Sequence, residues 1–280
     1  MSIPVGSKGQ ADDRHMRVPV LPASVDRLLH AINDESLGYA EIARVIGESP
    51  SIALRVLGLA NSAWSAPVTP IASLDMACGR LGLGVIRSVA MALVIAEVFN
   101  PAACPAFDSR RYWMSALLTA EAAFLIASDT PDLDPDQART AGLLRTIGLL
   151  WLADSRSDAT ERALRRHKHE PLGTLDALLQ AECGIGYLAA GEIVARHWQL
   201  PEGIVLAGFR DCDELPEEVE RLADSVCCGV WIERELRAGE QDGREVDTEV
   251  AFPNARVQAV LGDIQGRMER LGQLADELCR

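Results

Sequence analysis

Residues 141–151 read Ala-Gly-Leu-Leu-Arg-Thr-Ile-Gly-Leu-Leu-Trp, and this stretch decides how the fold is interpreted. Its large apolar side chains, at positions 143, 144, 147, 150 and 151, recur at the spacing of a helix that is buried along one side. Gly142 and Gly148 have no side chains, so a second backbone can approach the helix closely at these two positions. The stretch therefore predicts one central helix with close neighbours.

Helical periodicity continues on both sides of this stretch. Apolar positions at three- and four-residue spacing predict helices over residues 22–32, 42–46, 50–60, 74–77, 81–99, 109–127, 159–169, 172–181, 184–198, 201–209, 219–231 and 257–278. The last of these helices packs either on the body of the protein or on a second copy in a homodimer, and packing on its own core is favoured. Because no useful length of sequence alternates with period two, we expect no sheet. The predicted fold class is all-α.

The composition indicates a globular protein with a substantial core. Of the 280 residues, 48% are hydrophobic, and the formal net charge is −14. This acidic balance argues against a broad surface for nucleic-acid phosphates, so nucleic acid is not an expected partner. The most apolar run, residues 81–99, is interrupted by Arg87 and Glu97. We therefore expect a core helix there and no membrane association.

The cysteines and the first residues favour a cytoplasmic protein. The seven cysteines are odd in number and form no C-x-x-C pair, which favours buried, reduced thiols. The adjacent Cys227 and Cys228 are expected to be structural, since no histidine pattern nearby suggests a nucleophile. The first ten residues lack the apolar run of a signal peptide. We therefore expect a cytoplasmic location.

The run from Ala141 to Gly148 resembles the metal-binding helix of the HD superfamily of phosphohydrolases. In that helix a histidine and an aspartate bind a divalent metal, and here the pair reads Arg145-Thr146. A guanidinium is always protonated and has no lone pair to donate, and a threonine hydroxyl is a poor replacement for a carboxylate. The resemblance therefore implies that the helix is kept without its metal ligands, so we expect no catalytic residue, no metal and no cofactor.

Further motifs resemble the HDOD family, a bacterial all-helical signalling module related to HD hydrolases. The resemblance covers about residues 18–210 and includes structural motif residues in a fixed order, namely Asn61, Ser62, Trp64, Gly142, Gly148, Trp198 and Pro201. It implies an HD-like multi-helix bundle. The expected organisation is a leader over residues 1–17, an HDOD domain over 18–210, and a C-terminal helical extension over 211–280 that packs on the domain. Within the domain, an N-terminal lobe runs to about residue 100 and an HD-like lobe starts at about residue 107.

The chain departs from the family pattern at each position that carries a ligand in related proteins. Ser49 stands where the family usually has an aspartate, and Phe209-Arg210 stand where it has a histidine pair. The family also has a histidine near the position that Tyr187 occupies here. By comparison with the family, the degenerate pocket is lined by Arg145, Thr146, Tyr187 and Arg210. Two arginines in a former metal cleft favour an anion over a cation. Alternatively, both arginines are paired with carboxylates at the surface.

The remaining basic and imidazole groups have ordinary structural interpretations. His167 and His169 lie in the run Arg-Arg-His-Lys-His, which is typical of a solvated helix C-terminus whose positive charge faces the helix dipole. The same basic cluster, residues 162–168, is a weaker candidate for binding an acidic partner or a nucleotide phosphate. His197 is expected to pack or to cap a helix.

The family resemblance implies a non-enzymatic regulatory module that acts by binding other proteins. The implied partners are signalling proteins such as receiver, cyclase or kinase proteins bound in trans, and the implied outputs are motility, biofilm, virulence or stress responses. Two alternatives stay open. One is a nucleotide or small-molecule receptor that uses the vacated cleft, and the other is a divergent HD phosphohydrolase with a metal site of unrecognised residues.

Overall fold

The computed structural model describes residues 18–21, 23–34, 36–61, 69–169, 174–209, 217–240 and 255–279. Within these ranges the regular structure is helical and contains no strand, which confirms the all-α prediction. The helices are α1 (Ala23–Asn33), α2 (Tyr39–Gly47), α3 (Pro50–Asn61), α4 (Leu74–Leu81), α5 (Leu83–Val98), a short 3₁₀ helix (Pro101–Ala103), α6 (Ser109–Ser128), α7 (Pro135–Leu144), α8 (Ile147–Ser155), α9 (Ser157–His169), α10 (Leu175–Cys183), α11 (Tyr187–His197), α12 (Glu202–Phe209), α13 (Glu217–Glu240), α14 (Ala255–Gln265) and α15 (Met268–Leu278).

Helices α1 to α5 pack together at the N-terminal end of the chain. Ser73 caps α4 by accepting a hydrogen bond from the Met76 backbone N–H at 3.2 Å. Asn61 is the last residue of α3, and its side-chain amide binds the backbone of Ile71. Its Nδ2 donates to the Ile71 carbonyl oxygen at 2.8 Å, and its Oδ1 accepts from the Ile71 N–H at 2.7 Å. This motif residue therefore joins α3 to the segment before α4.

Helix α5 is the expected core helix, with nine consecutive or near-consecutive buried residues between Ile86 and Ile95. No single helix in the part of the chain that the structure describes is long and apolar enough to cross a membrane. One pair, Leu74–Leu81 with Leu83–Val98, passes that test together by length and composition only, and it is bent by 114°.

Helix α6 is the central element of the second half. Asp108 caps it by accepting from the Arg111 N–H at 2.9 Å, and α7 packs along it. A methyl group at Gly142 would stand 3.0 Å from the Ala120 Cα, and one at Gly229 would stand 2.6 Å from the Thr119 carbonyl oxygen. Helices α7 and α13 therefore both cross α6 at backbone contact over neighbouring residues.

The prediction of one helix over residues 141–151 is wrong, because the chain turns at Arg145-Thr146. Helix α7 ends at Leu144, and α8 begins at Ile147 with Thr146 in a non-helical conformation at φ −102° and ψ 8°. The turn lets the two glycines face different neighbours: Gly142 meets α6, and Gly148 meets α11. The prediction of close backbone approach at both glycines is confirmed, and two such contacts in different directions require two helix axes.

The C-terminal helices pack on the rest of the chain, and residues 257–278 form two helices where one was predicted. Helix α14 ends at Gln265 and α15 starts at Met268, with a turn at residues 266–267. Val257, Val260 and Ile264 are buried, as are Leu274 and Leu278 on α15. Both short helices contact α6 of the same chain.

The expectation of reduced, buried cysteines holds for four of them. Cys78, Cys104, Cys183 and Cys228 are free and buried, whereas Cys279 is free and exposed. Cys227 is disulfide-bonded, contrary to the expectation. Cys212 lies outside the described residues.

Candidate functional site

The Arg145 turn, residues 145–146 between α7 and α8, occupies the position predicted for the site. Arg145 is buried, and its Nη1 donates to the Gly208 carbonyl oxygen at 2.9 Å. Gly208 belongs to α12, which also approaches α7 because a methyl group at Gly208 would stand 3.3 Å from the Ala141 carbonyl oxygen. The Arg145 guanidinium therefore ties two helices together from inside the fold.

Helices α8 and α11 meet beside this turn at two glycines. A methyl group at Gly148 would stand 2.0 Å from the Tyr187 carbonyl oxygen and 2.4 Å from the Gly191 nitrogen. A methyl group at Gly191 would stand 2.5 Å from the Phe209 ring. Any side chain at either glycine would collide with backbone or with a buried ring. This contact brings Tyr187, at the start of α11, next to the Arg145 turn.

Two hydroxyl groups lie together on the other side of the turn. Burial raises the pKa of the Tyr112 hydroxyl, and the nearby Thr146 hydroxyl lowers it to a smaller extent. Both oxygens are buried, and neither has a partner at hydrogen-bonding geometry among the described residues. The Thr146 hydroxyl therefore lies near the Tyr112 hydroxyl of α6, and neither oxygen is at hydrogen-bonding geometry with a described residue.

Helix α13 brings charge to the same region. Glu233 is buried, and its carboxylate accepts from Arg237 Nη1 at 2.9 Å. Burial raises the pKa of Tyr187; Arg145 and Arg234 lower it, and Asp176 and Glu233 raise it further. Arg145, Tyr187 and Glu233 therefore belong to one electrostatic neighbourhood, which α13 joins from the C-terminal part of the chain.

Sequence reasoning missed a group of three basic side chains near Glu233, which we call the cation cluster: Arg111, His167 and Arg237. Partial burial, followed by Arg237, lowers the pKa of Arg111, which is an exposed residue. Burial, followed by Arg111 and then Arg237, lowers the pKa of His167. The charges of these groups therefore act on one another, although the residues come from α6, α9 and α13. Only the four-residue spacing of Glu233 and Arg237 was visible in the sequence.

The sequence profile of the HDOD domain matches residues 18–209, more than half of the chain. The chain belongs to the HDOD family. No protein among the curated ones matches it. The family match ends at α12, so the HDOD domain proper contains the Arg145 turn, Arg111 and His167, whereas Glu233 and Arg237 lie beyond it.

Solved structures of bacterial proteins share the fold of this HDOD chain. One from Marinobacter aquaeolei VT8, provisionally named a signal transduction protein, is 21% identical with a TM-score of 0.78; the match covers 94% of this chain and 60% of that one. An HDOD domain protein of unknown function from Geobacter sulfurreducens is 20% identical with a TM-score of 0.74, and 94% of each chain is covered. A protein from Shewanella amazonensis SB2B, provisionally named a phosphohydrolase, is 19% identical with a TM-score of 0.72, and the match covers 93% of this chain and 94% of that one. At these identities the likeness shows the fold alone.

The other residues predicted from the HDOD motifs lie at structural joints or outside the described part. Trp198 donates from its indole nitrogen to the Pro19 carbonyl at 3.2 Å and stacks on Phe99 with ring centroids 5.7 Å apart. Pro201 precedes α12, and its carbonyl accepts the Val205 N–H at 3.1 Å. Ser62, Trp64 and Arg210 lie outside the described residues. Of the four residues predicted to line the degenerate pocket, Arg145, Thr146 and Tyr187 are described, and the pocket itself stays a prediction.

The basic run on α9 was interpreted as a solvated helix C-terminus, and this interpretation is confirmed for its arginines and wrong for His167. Arg162 and Arg166 each pair with Glu182, at 2.9 and 3.2 Å, and Arg165 donates to Glu161 at 2.6 Å. His167 is only partly exposed, and its Nδ1 is buried without a partner among the described residues. The side chain of His169 is not described. His197 is exposed, contrary to the expectation that it packs.

The residues at the Arg145 turn do not fit a divalent metal. The Arg145 guanidinium is cationic and its donor is already directed to a carbonyl, while Thr146 offers one neutral oxygen. Within the described ranges, no three His, Cys, Asp or Glu side chains are grouped so as to hold a metal ion. Two surface cavities, of about 340 and 420 Å³, are lined by other residues and include neither Arg145, Thr146 nor Tyr187.

Proposed function

We propose that this HDOD protein is a non-enzymatic regulatory module of a bacterial signalling route and acts by binding other proteins. The observation that carries the proposal is the buried hydrogen bond from Arg145 to the Gly208 carbonyl. It uses the position of the superfamily's metal-binding pair to fasten α7 to α12. Expected partners are signalling proteins such as receiver, cyclase or kinase proteins, bound in trans.

Three physical features support a scaffold role over catalysis at this position. A buried guanidinium repels a divalent cation and cannot act as a general base. The glycine contacts hold the backbones of α8 and α11 too close together to admit a side chain at Gly148. Glu233 and Arg237 of α13 add an internal ion pair at the same place.

The absence of catalysis is tested with the full chain and with the double variant Arg145→His, Thr146→Asp. We expect the unmodified chain to bind less than one equivalent of Mn²⁺ or Zn²⁺ and to release no phosphate from a panel of nucleotides and cyclic dinucleotides. The double variant restores ligand types and reports whether the remaining geometry accepts a metal. One equivalent of metal on the unmodified chain, with turnover of any substrate, would establish the divergent phosphohydrolase instead.

Protein binding is tested by capture from the native cell with the full chain as bait, followed by reconstitution from purified components. The expected result is a saturable complex with a signalling protein, measured by titration calorimetry. If no captured protein forms a complex with the purified chain, the interaction proposal fails. The metal and turnover assays are independent of this outcome.

A second candidate function is a small-molecule receptor that uses the vacated cleft. The buried hydroxyls of Thr146 and Tyr112, which lack partners among the described residues, favour it because buried polar groups are normally satisfied. Saturable binding of a nucleotide without turnover, lost on Thr146→Val with the fold retained, is the expected result. No thermal shift with any nucleotide of a broad panel would remove this candidate.

A further inference from the structure

The larger of the two surface cavities, of about 420 Å³, is bordered by helices that are distant along the chain, and we call it the junction cavity. Its lining comes from α3, α5, the loop between α5 and α6, α6, α8 and α15. Helix α15 lies beyond the residues that match the HDOD profile, so the cavity needs the C-terminal helices to be packed on the domain. Its volume falls in the range of small-molecule pockets, roughly 300–1,000 Å³.

Among the described residues that line the junction cavity, Arg55 has the only charged side chain. Its Nη2 donates to the carbonyl oxygens of Glu277 and Leu278, at 2.9 and 3.1 Å, at the C-terminal end of α15. Its Nη1 and Nε make no hydrogen bond or ion pair with a described residue. Burial lowers the pKa of Arg55, but a guanidinium stays protonated at neutral pH. The cavity is therefore bordered by a cation that is held in place and still has donors available.

The N-terminal end of α6 also borders the junction cavity, through its first residue Ser109. The first N–H groups of a helix have no partner inside the helix, so this end carries partial positive charge. Asp108 satisfies one of these groups by accepting from the Arg111 N–H at 2.9 Å, so Arg55 supplies most of the positive charge at the cavity. In a chain whose formal net charge is −14, this lining favours a negatively charged group.

Three buried apolar side chains complete the lining: Phe99, Trp113 and Leu150 are only 3, 4 and 3% exposed. Phe99 stacks on Trp198 with ring centroids 5.7 Å apart, and Trp113 meets Tyr112 edge-on at 5.0 Å. These ring contacts fix two aromatic surfaces beside the cavity. A planar ring can therefore pack on them without ordering new side chains.

The loop between α5 and α6 forms another side of the junction cavity and is held by its own hydrogen bonds. Asn100 Oδ1 accepts from the Ala102 N–H at 3.1 Å, and Glu161 of α9 accepts from the Ala106 N–H at 2.5 Å. Ala102 is exposed and lines the cavity, whereas its neighbour Ala103 is exposed and does not. The loop is therefore formed before any molecule binds, and it offers a matched pair of positions for substitution.

We infer that the junction cavity binds a small carboxylic acid that carries a planar ring, with the carboxylate on Arg55 and the ring against Phe99 and Trp113. One guanidinium matches one negative charge through charge-assisted hydrogen bonds. Because Nη2 is engaged by α15, the remaining donors of Arg55 are too few for the three oxygens of a phosphate group. The site is separate from the Arg145 turn, and it goes beyond the proposed function.

A bound acid would contact α3 through Arg55 and lie beside the C-terminal end of α15, where Leu278 and Cys279 line the cavity. It would thus add a contact between the HDOD domain and the helices beyond residue 209. We therefore expect binding to raise the Tm of the full chain, since the unfolded chain has no such cavity.

The test is titration of the full chain with four probes, followed by calorimetry and thermal unfolding: 2-naphthoate, 2-naphthamide, 2-naphthyl phosphate and acetate. We expect saturable binding of 2-naphthoate with a rise in Tm. The amide keeps the ring without the charge, and acetate keeps the charge without the ring, so both should bind at least roughly tenfold more weakly. No saturable binding of 2-naphthoate would overturn the site, and equally tight binding of 2-naphthamide or 2-naphthyl phosphate would overturn the choice of a carboxylate.

Alkylation of Cys279 locates the bound probe. This thiol lines the junction cavity and is exposed, whereas the other four free cysteines are buried. We expect saturating 2-naphthoate to slow its reaction with iodoacetamide, measured by mass spectrometry of the C-terminal peptide. An unchanged rate would place the probe elsewhere and contradict the assignment.

Filling the cavity tests the site without touching Arg55. Ala102→Trp puts a large side chain at the lining and should weaken 2-naphthoate binding by roughly tenfold or more. Ala103→Trp is the matched control on the same short helix, and it should retain affinity within about twofold. Equal losses in the two variants would overturn the position of the site.

Removing the cation tests the role of Arg55. Arg55→Gln should weaken 2-naphthoate binding by roughly tenfold or more and leave 2-naphthamide binding unchanged. Arg110→Gln is the control for a loosened α15, because Arg110 also holds this helix, through Asp276 at 2.6 Å, and does not line the cavity. An equal loss in Arg110→Gln would mean that Arg55 acts only on α15. None of these probes enters the metal, turnover and capture experiments, so failure of this site and failure of the proposed function are distinguishable.

Discussion

The Arg145 turn and the cation cluster are both close to Glu233, yet they treat buried polar groups in opposite ways. At the turn, the guanidinium is buried and directed at the Gly208 carbonyl, and glycines bring the backbones of α8 and α11 into contact. In the cluster, His167 Nδ1 is buried and has no hydrogen-bond partner among the described residues. The Arg145 guanidinium is therefore engaged inside the fold, whereas the Arg111 guanidinium has no hydrogen bond or ion pair among the described residues.

The largest effect is expected from a substitution at the contact between α8 and α11. Gly148→Ala places a methyl group 2.0 Å from the Tyr187 carbonyl oxygen, and backbone must move to admit it. We expect the free energy of unfolding to fall by about 3 kcal/mol or more. The measurement is urea unfolding followed by circular dichroism.

The control for this variant is Gly58→Ala on α3, where a methyl group meets nothing within 4 Å. Alanine has the higher helix propensity, so this variant should gain up to about 1 kcal/mol. Equal effects of the two substitutions would show that Gly148 does not hold α8 against α11.

The next effect concerns the Arg145 guanidinium. Arg145→Met keeps much of the side-chain volume but leaves the Gly208 carbonyl without this donor, so we expect a loss of about 2 kcal/mol in unfolding free energy. Arg165→Met, which removes an exposed pair, should cost at most about 1 kcal/mol. If Arg145→Met were as mild as Arg165→Met, the turn would not be a structural joint.

A smaller effect of opposite sign is expected from the cluster. Arg111→Gln removes repulsion with Arg237 and should leave stability unchanged or raise it by a few tenths of a kcal/mol, about 0.3. Thermal unfolding measures this effect, and a loss of stability would mean that Arg111 is structural.

The smallest effect is a change in the pH dependence of stability. Burial, Arg111 and Arg237 lower the pKa of His167 below its ordinary value of 6.5, so the unfolded chain takes up this proton first as the pH falls. The contribution of His167 to stability is therefore complete above pH 6.5 and is lost as the pH falls through 6.5 toward the lower folded pKa. His167→Gln should reduce the slope of Tm between about pH 7.5 and 5.5, and Arg111→Gln should reduce it partly. An unchanged slope in His167→Gln would contradict this environment, which also contains Glu233 beside Arg237.

Much of the helix content was predictable because a helix that is buried along one side has apolar residues at three- and four-residue spacing. Asn61, Gly142, Gly148 and Trp198 were also found in advance, and each makes a contact that its residue type explains. Residues 141–151 and residues 257–278 were each predicted as one helix and each form two helices, for the same reason. An apolar stripe continues across a short turn when both helices face the same core, so periodicity alone does not locate the break.

The chemistry of the candidate site was predictable only in part. The sequence alone excludes histidine and aspartate side chains at positions 145 and 146. It does not show where a guanidinium points, and the Gly208 carbonyl is 63 residues from Arg145. Likewise, the arginines of the run on α9 looked available in the sequence, but Glu161 and Glu182 neutralise them.

The sequence by itself determined the helical class and the HDOD membership, since both depend on residue type and local spacing. Tertiary structure alone decided that the chain turns at Arg145-Thr146 and that the Arg145 guanidinium donates to the Gly208 carbonyl. The hydrogen-bond and ion-pair partners of a charged side chain come from helices that are distant along the chain, so the sequence alone does not identify them.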